Sequence, residues 1–414
     1  MPQVCLYFHL HQPYRLKQFN VFELDRGQSY FSTETDQGKG THQIFLKVAE
    51  KSYLPMLSLL KQLLEKNPRF KLSLSCSGVF LEQAELLKPE IIELIKDLTA
   101  TGRVELLTET YYHSLSFLHS KDEFIYQIVK QSKKLEQLFG VKPSVFRNTE
   151  LIYSNQIAEI LAASPLEFDG ILTEAVQPYL QGHKKTEMFS SVEVDGKSYP
   201  LLLKHAQLSD DIAFRFSDRS WLWHPLTVDR YLQWVEVYPE DEYVNLFMDF
   251  ETFGEHQWSD TGIFEFFFFL FERLSQQDLN RFVTPSEVFA EHEQVQEEKD
   301  KQQSQAAASL PVYDVPDYIS WADVDRDLTA WIGNQLQSDA LRELYELRQP
   351  VLDSGDEQLI EDWRRLQVSD HFYYMCTKWS ADGDVHAYFS PYQSPLEAYR
   401  RYSVVLADLR GRLL

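Results

Sequence analysis

Three cysteines in 414 residues, Cys5, Cys76 and Cys376, are too few and too scattered for a disulfide framework. None falls in a CxxC or zinc-finger spacing, so each reads as a small buried thiol. Positive charge is also scarce. Forty Lys and Arg face 63 Asp and Glu, a formal net charge of −23, and no basic block offsets it. That mean field repels a polyanion such as nucleic acid, whereas a neutral ligand is unaffected. Long apolar runs are missing: the nearest approach to a membrane span, "GIFEFFFFLFERL", carries Glu265 and is too short for a bilayer. The opening "MPQVCLYFHLHQP" lacks the basic segment and small-residue cleavage site of a signal peptide. The expectation is a soluble, cytoplasmic protein. No GxGxxG follows the first apolar run, against a dinucleotide fold, and no internal repeat is visible.

What is present is ordinary globular composition, 44% hydrophobic and 25% charged, with a high aromatic share of 14%. Strand-length apolar runs recur: "QVCLYFH", "FKLSLSC", "RVELLTE", "SVFRNTE", "DGILTE", "YPLLLKH" and "YVNLFMDF", with "RFVTP" a weaker eighth. Their continuous apolarity suits parallel strands covered on both faces. Helical patterns lie between them, at Tyr53 to Lys66, Pro89 to Thr101, Asp122 to Phe139 and Ser154 to Ala163. This alternation predicts an α/β fold, either a barrel or a doubly wound sheet. Both put the ligand site at the carboxyl ends of the strands.

From Glu291 to Ser309 the chain turns charged and Gln-rich, a linker or an exposed helix. Beyond it the periodicity is helical at Trp321 to Leu347, Asp356 to Gln367 and Pro395 to Leu413. The expected organisation is therefore a catalytic unit over residues 1–290, a connector over 291–310, and a helical unit over 311–414 that contributes to the cleft.

Polar groups gather where the apolar runs end. His9 and His11 are two apart, so on a strand they share a face. They suit sugar hydroxyls or two positions of a zinc site, or else are core histidines satisfied by carbonyls. Glu105 and Glu109 are followed by Tyr111, Tyr112 and His113; carboxylates beside aromatic faces suit a sugar site, and a helix start with tyrosine packing is the plainer reading. Glu150 has Arg147 close by, which favours its ionised form as a nucleophile or makes a structural ion pair. In "NLFMDFETFGEH", Asp249 and Glu251 share a side at the end of an apolar run, and Gly254 lets the chain turn. His256 is a possible metal ligand and Glu255 a helix cap. Two carboxyls across a glycosidic bond, about 5–5.5 Å apart in retaining enzymes, are what its cleavage requires, and Glu150 with Asp249 is the candidate pair.

Taken in order, "HLHQP", "GRVELL", "RNTELIYSN", "MDFETFGEH" and "WADVDRDLTAWIGN" resemble the five motifs of glycoside hydrolase family 57 in its α-amylase-like branch. "LQVSDHFYYMCTKW" resembles that branch's C-terminal region. The resemblance implies an incomplete (β/α)7 barrel followed by a C-terminal α-helical domain, and a retaining mechanism on α-glucans or maltooligosaccharides, with no cofactor or metal. It implies Glu150 as nucleophile and Asp249 as general acid/base. His9, His11, Glu105 and Glu251 would hold the sugar, and Trp321 or Trp331 with Asp327 would approach from the helical part. Like-charge repulsion from Glu251 or Glu150 is expected to raise the Asp249 carboxyl. The alternatives are 4-α-glucanotransferase or branching activity, a zinc hydrolase of deacetylase or mannosidase type using His9, His11 and Asp249, and a non-catalytic glucan-binding protein. "RSWLWHPLTVDRYLQW" is a candidate acceptor-side loop or a packing element.

Overall fold

The strands are β1 (Gln3–Leu10), β2 (Leu72–Cys76), β3 (Val104–Leu107), β4 (Val145–Arg147), β5 (Gly170–Thr173), β6 (Phe189–Val194), β7 (Lys197–Leu203), β8 (Tyr243–Asp249) and β9 (Arg281–Val283), and all but β6 form from the apolar runs. The computed structural model describes residues 2–18, 27, 29–35, 38–180, 189–239, 242–276, 281–301, 310–378 and 390–413. One sheet has the order β3-β2-β1-β8, with β9 also pairing β1, and the other has β4-β5-β7-β6. All pairings are parallel except β6 with β7. β6 is not among the expected strands.

The sheets meet at two places. Beyond β3, Thr108 donates its N–H to Val145 and accepts from the Arg147 N–H, at 3.0 and 2.9 Å. Beyond β7, the His205 N–H reaches the Asn245 carbonyl, and Asn245 Nδ2 donates to the Leu203 carbonyl, both at 2.8 Å.

Strand alternation sorts side chains between two environments. Val4, Leu6, Phe8 and Leu10 of β1 pack outward into a core shared with the helices Leu54–Lys66 and Ile263–Gln276. Cys5 and Tyr7 turn the other way, into a small core with Leu107, Val145, Leu172, Leu202, Phe247 and Val283, which brings inner faces of both sheets together. Phe146, Ile171 and Leu201 share a third core with the C-terminal helices Gln335–Glu346, Glu357–Arg365 and Pro395–Gly411.

The expected helices are present within a few residues of their predicted bounds, with one difference: helix begins at Thr329, not at Trp321. Trp321 to Leu328 is an irregular segment in which Asp323 and Arg326 take positive φ, 43° and 53°. Of the Gln-rich stretch, residues up to Lys301 continue the helix Pro285–Lys301, and 302–309 lie outside the described residues. Among the described residues, no helix is long and apolar enough to cross a membrane.

Candidate active site

The inward parity of the strands dictates what lies above the inner core. Two residues beyond Tyr7 is His9; beyond Leu107, Glu109; beyond Val145, Arg147; beyond Leu172, Glu174; beyond Leu202, Lys204; beyond Phe247, Asp249. Aliphatic and aromatic residues thus give way to a polar layer at the carboxyl ends of six strands. A cavity of about 490 Å³ opens over this layer. His9, His11, His113, Glu150, Asp249, Glu251, Trp321 and Trp331 all line it.

Glu150 follows β4 in the left-handed region, φ 55°, with Leu151 at 49°. Strained backbone of this kind at a non-glycine persists only where its surroundings hold it. Here both carboxylate oxygens are held: His113 Nε2 lies 3.0 Å from Oε1, and Trp321 Nε1 donates to Oε2 at 2.7 Å. Burial would raise this carboxyl, but the His113 hydrogen bond and charge, with Arg147, outweigh burial and the Asp249 charge and keep it below the ordinary range. Glu150 is therefore an anion. His113, itself at φ 49°, is oriented from behind by buried Glu109, whose Oε2 is 3.1 Å from Nδ1. Burial disfavours the imidazolium, yet the hydrogen bonds to Glu109 and Glu150 raise His113 to about 9.

Asp249 stands at the end of β8 with a side chain 37% exposed, 3.6 Å from His9 Nδ1. The expectation that neighbouring acids would raise it is corrected. Burial does push it up, but the His9 hydrogen bond and charge, His256 and Arg147 leave it below its ordinary value. Repulsion instead falls on Glu251. Burial first, and the Asp249 charge second, raise Glu251 to about 8, against hydrogen bonds from Tyr53 Oη and the His11 N–H. The proton at this end of the cavity resides on Glu251.

His11 is held by Ser77 Oγ at 2.7 Å and Asp370 Oδ2 at 3.0 Å. Burial and the adjacent His113 charge pull it down to about 4, against Asp370. Its ring stacks on His113 with centroids 4.1 Å apart, and His9 stacks on the other two. Asp370 comes from the helix Ser369–Tyr373 and lines the cavity with Tyr373 and Tyr374. None of these three is singled out by the sequence patterns, although "SDHFYY" lies in the quoted C-terminal region.

Four expected site residues, Glu105, Tyr112, Asp327 and Arg147, do not line the cavity. Glu105 faces inward, but four residues, or about 13 Å of strand, below Glu109. There it accepts the Ser286 N–H at 3.1 Å, at the start of the helix Pro285–Lys301. Tyr112 points away from the cavity, and its hydroxyl donates to Glu361 at 2.7 Å. Asp327 turns to its own chain, accepting the Thr329 N–H at 2.8 Å just ahead of the helix Thr329–Ile332. Arg147 is fully buried beneath the cavity, 3.6 Å from Glu109 Oε2 and 3.4 Å from His9 Nε2. Trp221 and Trp234 pack edge to face at 6.1 Å, are not in this cavity, and with Tyr231 pack into the outer core, so the "RSWLWHPLTVDRYLQW" aromatics are packing elements.

Among the described residues, one group has metal-ligand proximity: His9, Glu109 and His113, with donor atoms within 4.8 Å of one another. The chemistry of that set does not fit a divalent ion. Both His113 nitrogens are already engaged by Glu109 and Glu150, and the Arg147 guanidinium stands against the Glu109 and His9 atoms that would ligate. The alternative trio His9, His11 and Asp249 fares no better, because both His11 nitrogens are taken by Ser77 and Asp370.

The sequence pattern of glycosyl hydrolase family 57 matches residues 5–301. The chain belongs to that family. It is 37% identical over 411 residues to a "Putative alpha-amylase" of Methanocaldococcus jannaschii, covering 97% of this chain and 82% of the relative. Among solved structures it resembles a family 57 branching enzyme of Pyrococcus horikoshii, with TM-score 0.65 and 14% identity, over 97% of this chain and 88% of that one. It also resembles the 4-alpha-glucanotransferase of Thermococcus litoralis, TM-score 0.62 and 15% identity, over 90% of this chain but only 56% of that one. At such identities the two structures bear on the fold of this family 57 member, which is α/β with a mostly parallel sheet and many helices.

Proposed function

We propose that this family 57 chain is a retaining glycosidase or transglycosylase acting on α-1,4-linked glucans, with Glu150 as nucleophile and Asp249 as general acid/base. The observation that carries the reading is the cavity itself: two carboxyls from different strand ends face it, and Glu150 has each oxygen fixed by a donor that favours its anionic form. Glu150 attacks the anomeric carbon, the glycosidic bond electrons pass to the leaving oxygen, and that oxygen takes a proton from Asp249. Water or a sugar hydroxyl then attacks the glycosyl ester and returns a proton to Asp249, so hydrolysis and transfer share every earlier step. Because Asp249 starts as an anion, it first takes the proton of Glu251, the neutral carboxyl beside it, passes that proton to the leaving oxygen, and hands the proton gained in the second step back to Glu251. His9, His11 and Trp331 line the sugar-holding wall.

The architecture we propose is an incomplete (β/α)7 barrel spanning residues 1–290 with a helical unit over 311–414. Support comes from the hydrogen bonds joining the sheets at Thr108 and Asn245, and from the single inner core of Cys5, Leu107, Leu172, Leu202 and Phe247. Three free buried cysteines suit a reducing, cytoplasmic compartment.

The test is product analysis by chromatography with amylose, amylopectin and maltooligosaccharides. Shortening denotes hydrolysis, redistribution denotes transfer, and new branch points denote branching. Asp249→Asn and Glu150→Gln are each expected to lose at least about a hundredfold in kcat. Unchanged turnover in either removes the assignment, and loss of wild-type turnover to EDTA would restore the zinc alternative.

A further inference from the structure

The segment Trp321 to Leu328 reaches the cavity from the C-terminal side, and its only aromatic ring touches Glu150. Two bonds tie Trp321 to that residue: the indole Nε1–H to Oε2 at 2.7 Å, and the Trp321 backbone N–H to the Glu150 carbonyl at 3.2 Å. Two cations stand against the ring, Arg147 at 5.2 Å and Lys204 at 5.5 Å from its centroid. What keeps an irregular segment in this position is not apolar packing alone, since Val324 is 73% exposed.

Arg326 is the link. Its Nη1 donates to the Trp321 carbonyl at 2.5 Å and to Glu174 Oε2 at 3.2 Å, and its Nη2 donates to Asp210 Oδ2 at 2.8 Å. Its own carbonyl accepts the Ser320 N–H at 3.0 Å, closing the segment into a loop around the indole. Glu174 follows β5, and Asp210 lies on the helix Ala206–Ala213, so the guanidinium spans two elements of the framework while holding the backbone of the residue that contacts Glu150. Lys204 completes a quartet with the same acids, 2.8 Å from Asp210 and 3.4 Å from Glu174. Two cations and two anions balance, which makes burying them tolerable. The left-handed backbone of Arg326, φ 53°, is the conformation that turns its side chain back toward the start of its own loop.

We infer that Arg326 is a positioning residue: through the Trp321 carbonyl it sets the indole donor on Glu150, and thereby fixes the orientation and charge of the nucleophile. The inference rests on the role proposed above for Glu150. A guanidinium is required because three acceptors in different directions need a planar fork, which an ammonium on a flexible stem does not reproduce. Arg326→Lys would keep the charge but leave at least one acceptor without its partner.

Two measurements on the full chain test this. Hydrogen exchange by mass spectrometry over residues 320–328 reads the loop directly. Arg326→Met is expected to speed exchange at the Ser320 and Trp321 amides, and Arg326→Lys to give an intermediate rate. Unchanged exchange in Arg326→Met overturns the inference. Kinetics on a maltooligosaccharide read the consequence. Trp321→Phe removes the indole N–H and keeps a ring, and Arg326→Met is expected to lower kcat about tenfold, the size of one displaced charge-assisted hydrogen bond, with KM within about twofold. The acid limb of kcat/KM moves to higher pH in both, because Glu150 has lost a donor to its anion. Acting through Trp321, Arg326→Met adds less than about threefold to Trp321→Phe in the double variant. Losses that multiply instead assign Arg326 an independent structural role and overturn the inference. A wild-type chain inactive on every α-glucan counts against the glycosidase reading alone, since exchange decides the tie of the loop without turnover.

Discussion

Glu251 offers a perturbation whose size follows from its surroundings. The residue is 8% exposed, its carboxyl accepts hydrogen bonds from Tyr53 Oη and the His11 N–H, and it faces the Asp249 anion with no cation in contact among the described residues. Burial, and then Asp249, raise it from 4.5 to about 8. Glu251→Gln keeps the acceptor oxygen and the volume while removing the ability to ionise. Below pH 4.5 the carboxyl is protonated in folded and unfolded chains alike, and the substitution has no pH-dependent effect. Between 4.5 and 8 the unfolded chain ionises while the folded one does not, so the wild type loses stability as pH rises through this window. At 1.36 kcal/mol per tenfold, the interval corresponds to on the order of 4–5 kcal/mol, and the difference flattens above pH 8. Other buried groups titrate too, including Glu105, raised to about 7, but they are common to both proteins and cancel in the difference. The assay is urea unfolding followed by circular dichroism at half-unit pH steps from 4 to 9, wild type against variant. Parallel curves would mean that Glu251 ionises in its ordinary range, and the account of where the cavity keeps its proton would fail.

His113→Gln removes the imidazolium from Glu150 and Glu109. Its acid limb in kcat/KM is expected at higher pH than that of the wild type, with kcat down by roughly ten- to a hundredfold; an unmoved limb would show that Glu150 is held anionic by something else. Gly254 has φ 105°, and a Cβ there would stand 1.9 Å from the Lys51 carbonyl oxygen. Gly254→Ala must therefore shift either the turn after Glu251 or the neighbouring helix, with an expected loss of at least about 3 kcal/mol in denaturant unfolding.

How far the sequence carries these conclusions depends on which physical signal each element leaves. Strands buried on both faces need apolar side chains at successive positions, so β1, β5 and β8 stand out as continuous runs. Phe189–Val194 leaves no such mark: in "FSSVEV" two serines and an exposed Glu193 interrupt the run, and only pairing with β7 makes it a strand. Trp321, Val324 and Leu328 mimic helical spacing, which is why the periodicity predicts a helix there. The backbone is captured instead by short polar side chains. Ser320 Oγ accepts the Ala322 N–H, Asp323 Oδ1 the Asp325 N–H, and Asp327 Oδ1 the Thr329 N–H. Such local bonds compete directly with a helix. Glu105 illustrates a different limit. Period two tells which face a strand residue occupies but not which end of the strand layer it is near, and Glu105 and Glu109 share a face while only Glu109 reaches the polar layer.

The part of the site that no local pattern reveals is its charge arrangement, because that depends on residues hundreds of positions apart. Glu150, Asp249, Glu251 and Asp370 crowd one cavity above buried Glu109, in a chain whose net charge is already −23. Four like charges at such range cannot all persist without compensation. Glu150 has the His113 imidazolium, Glu109 has His9 and His113 with Arg147 nearby, and Asp249 has His9 with His256 and Arg147. Asp370 has the hydrogen bond of His11. Among the described residues, Glu251 alone of these acids is bonded by a tyrosine hydroxyl and backbone N–H groups with no histidine or cationic side chain, and so it is the one that stays neutral. Sequence spacing brings Glu150 and Asp249 to one cavity, but the partition of the proton between Asp249 and Glu251 follows from which of them the histidines reach.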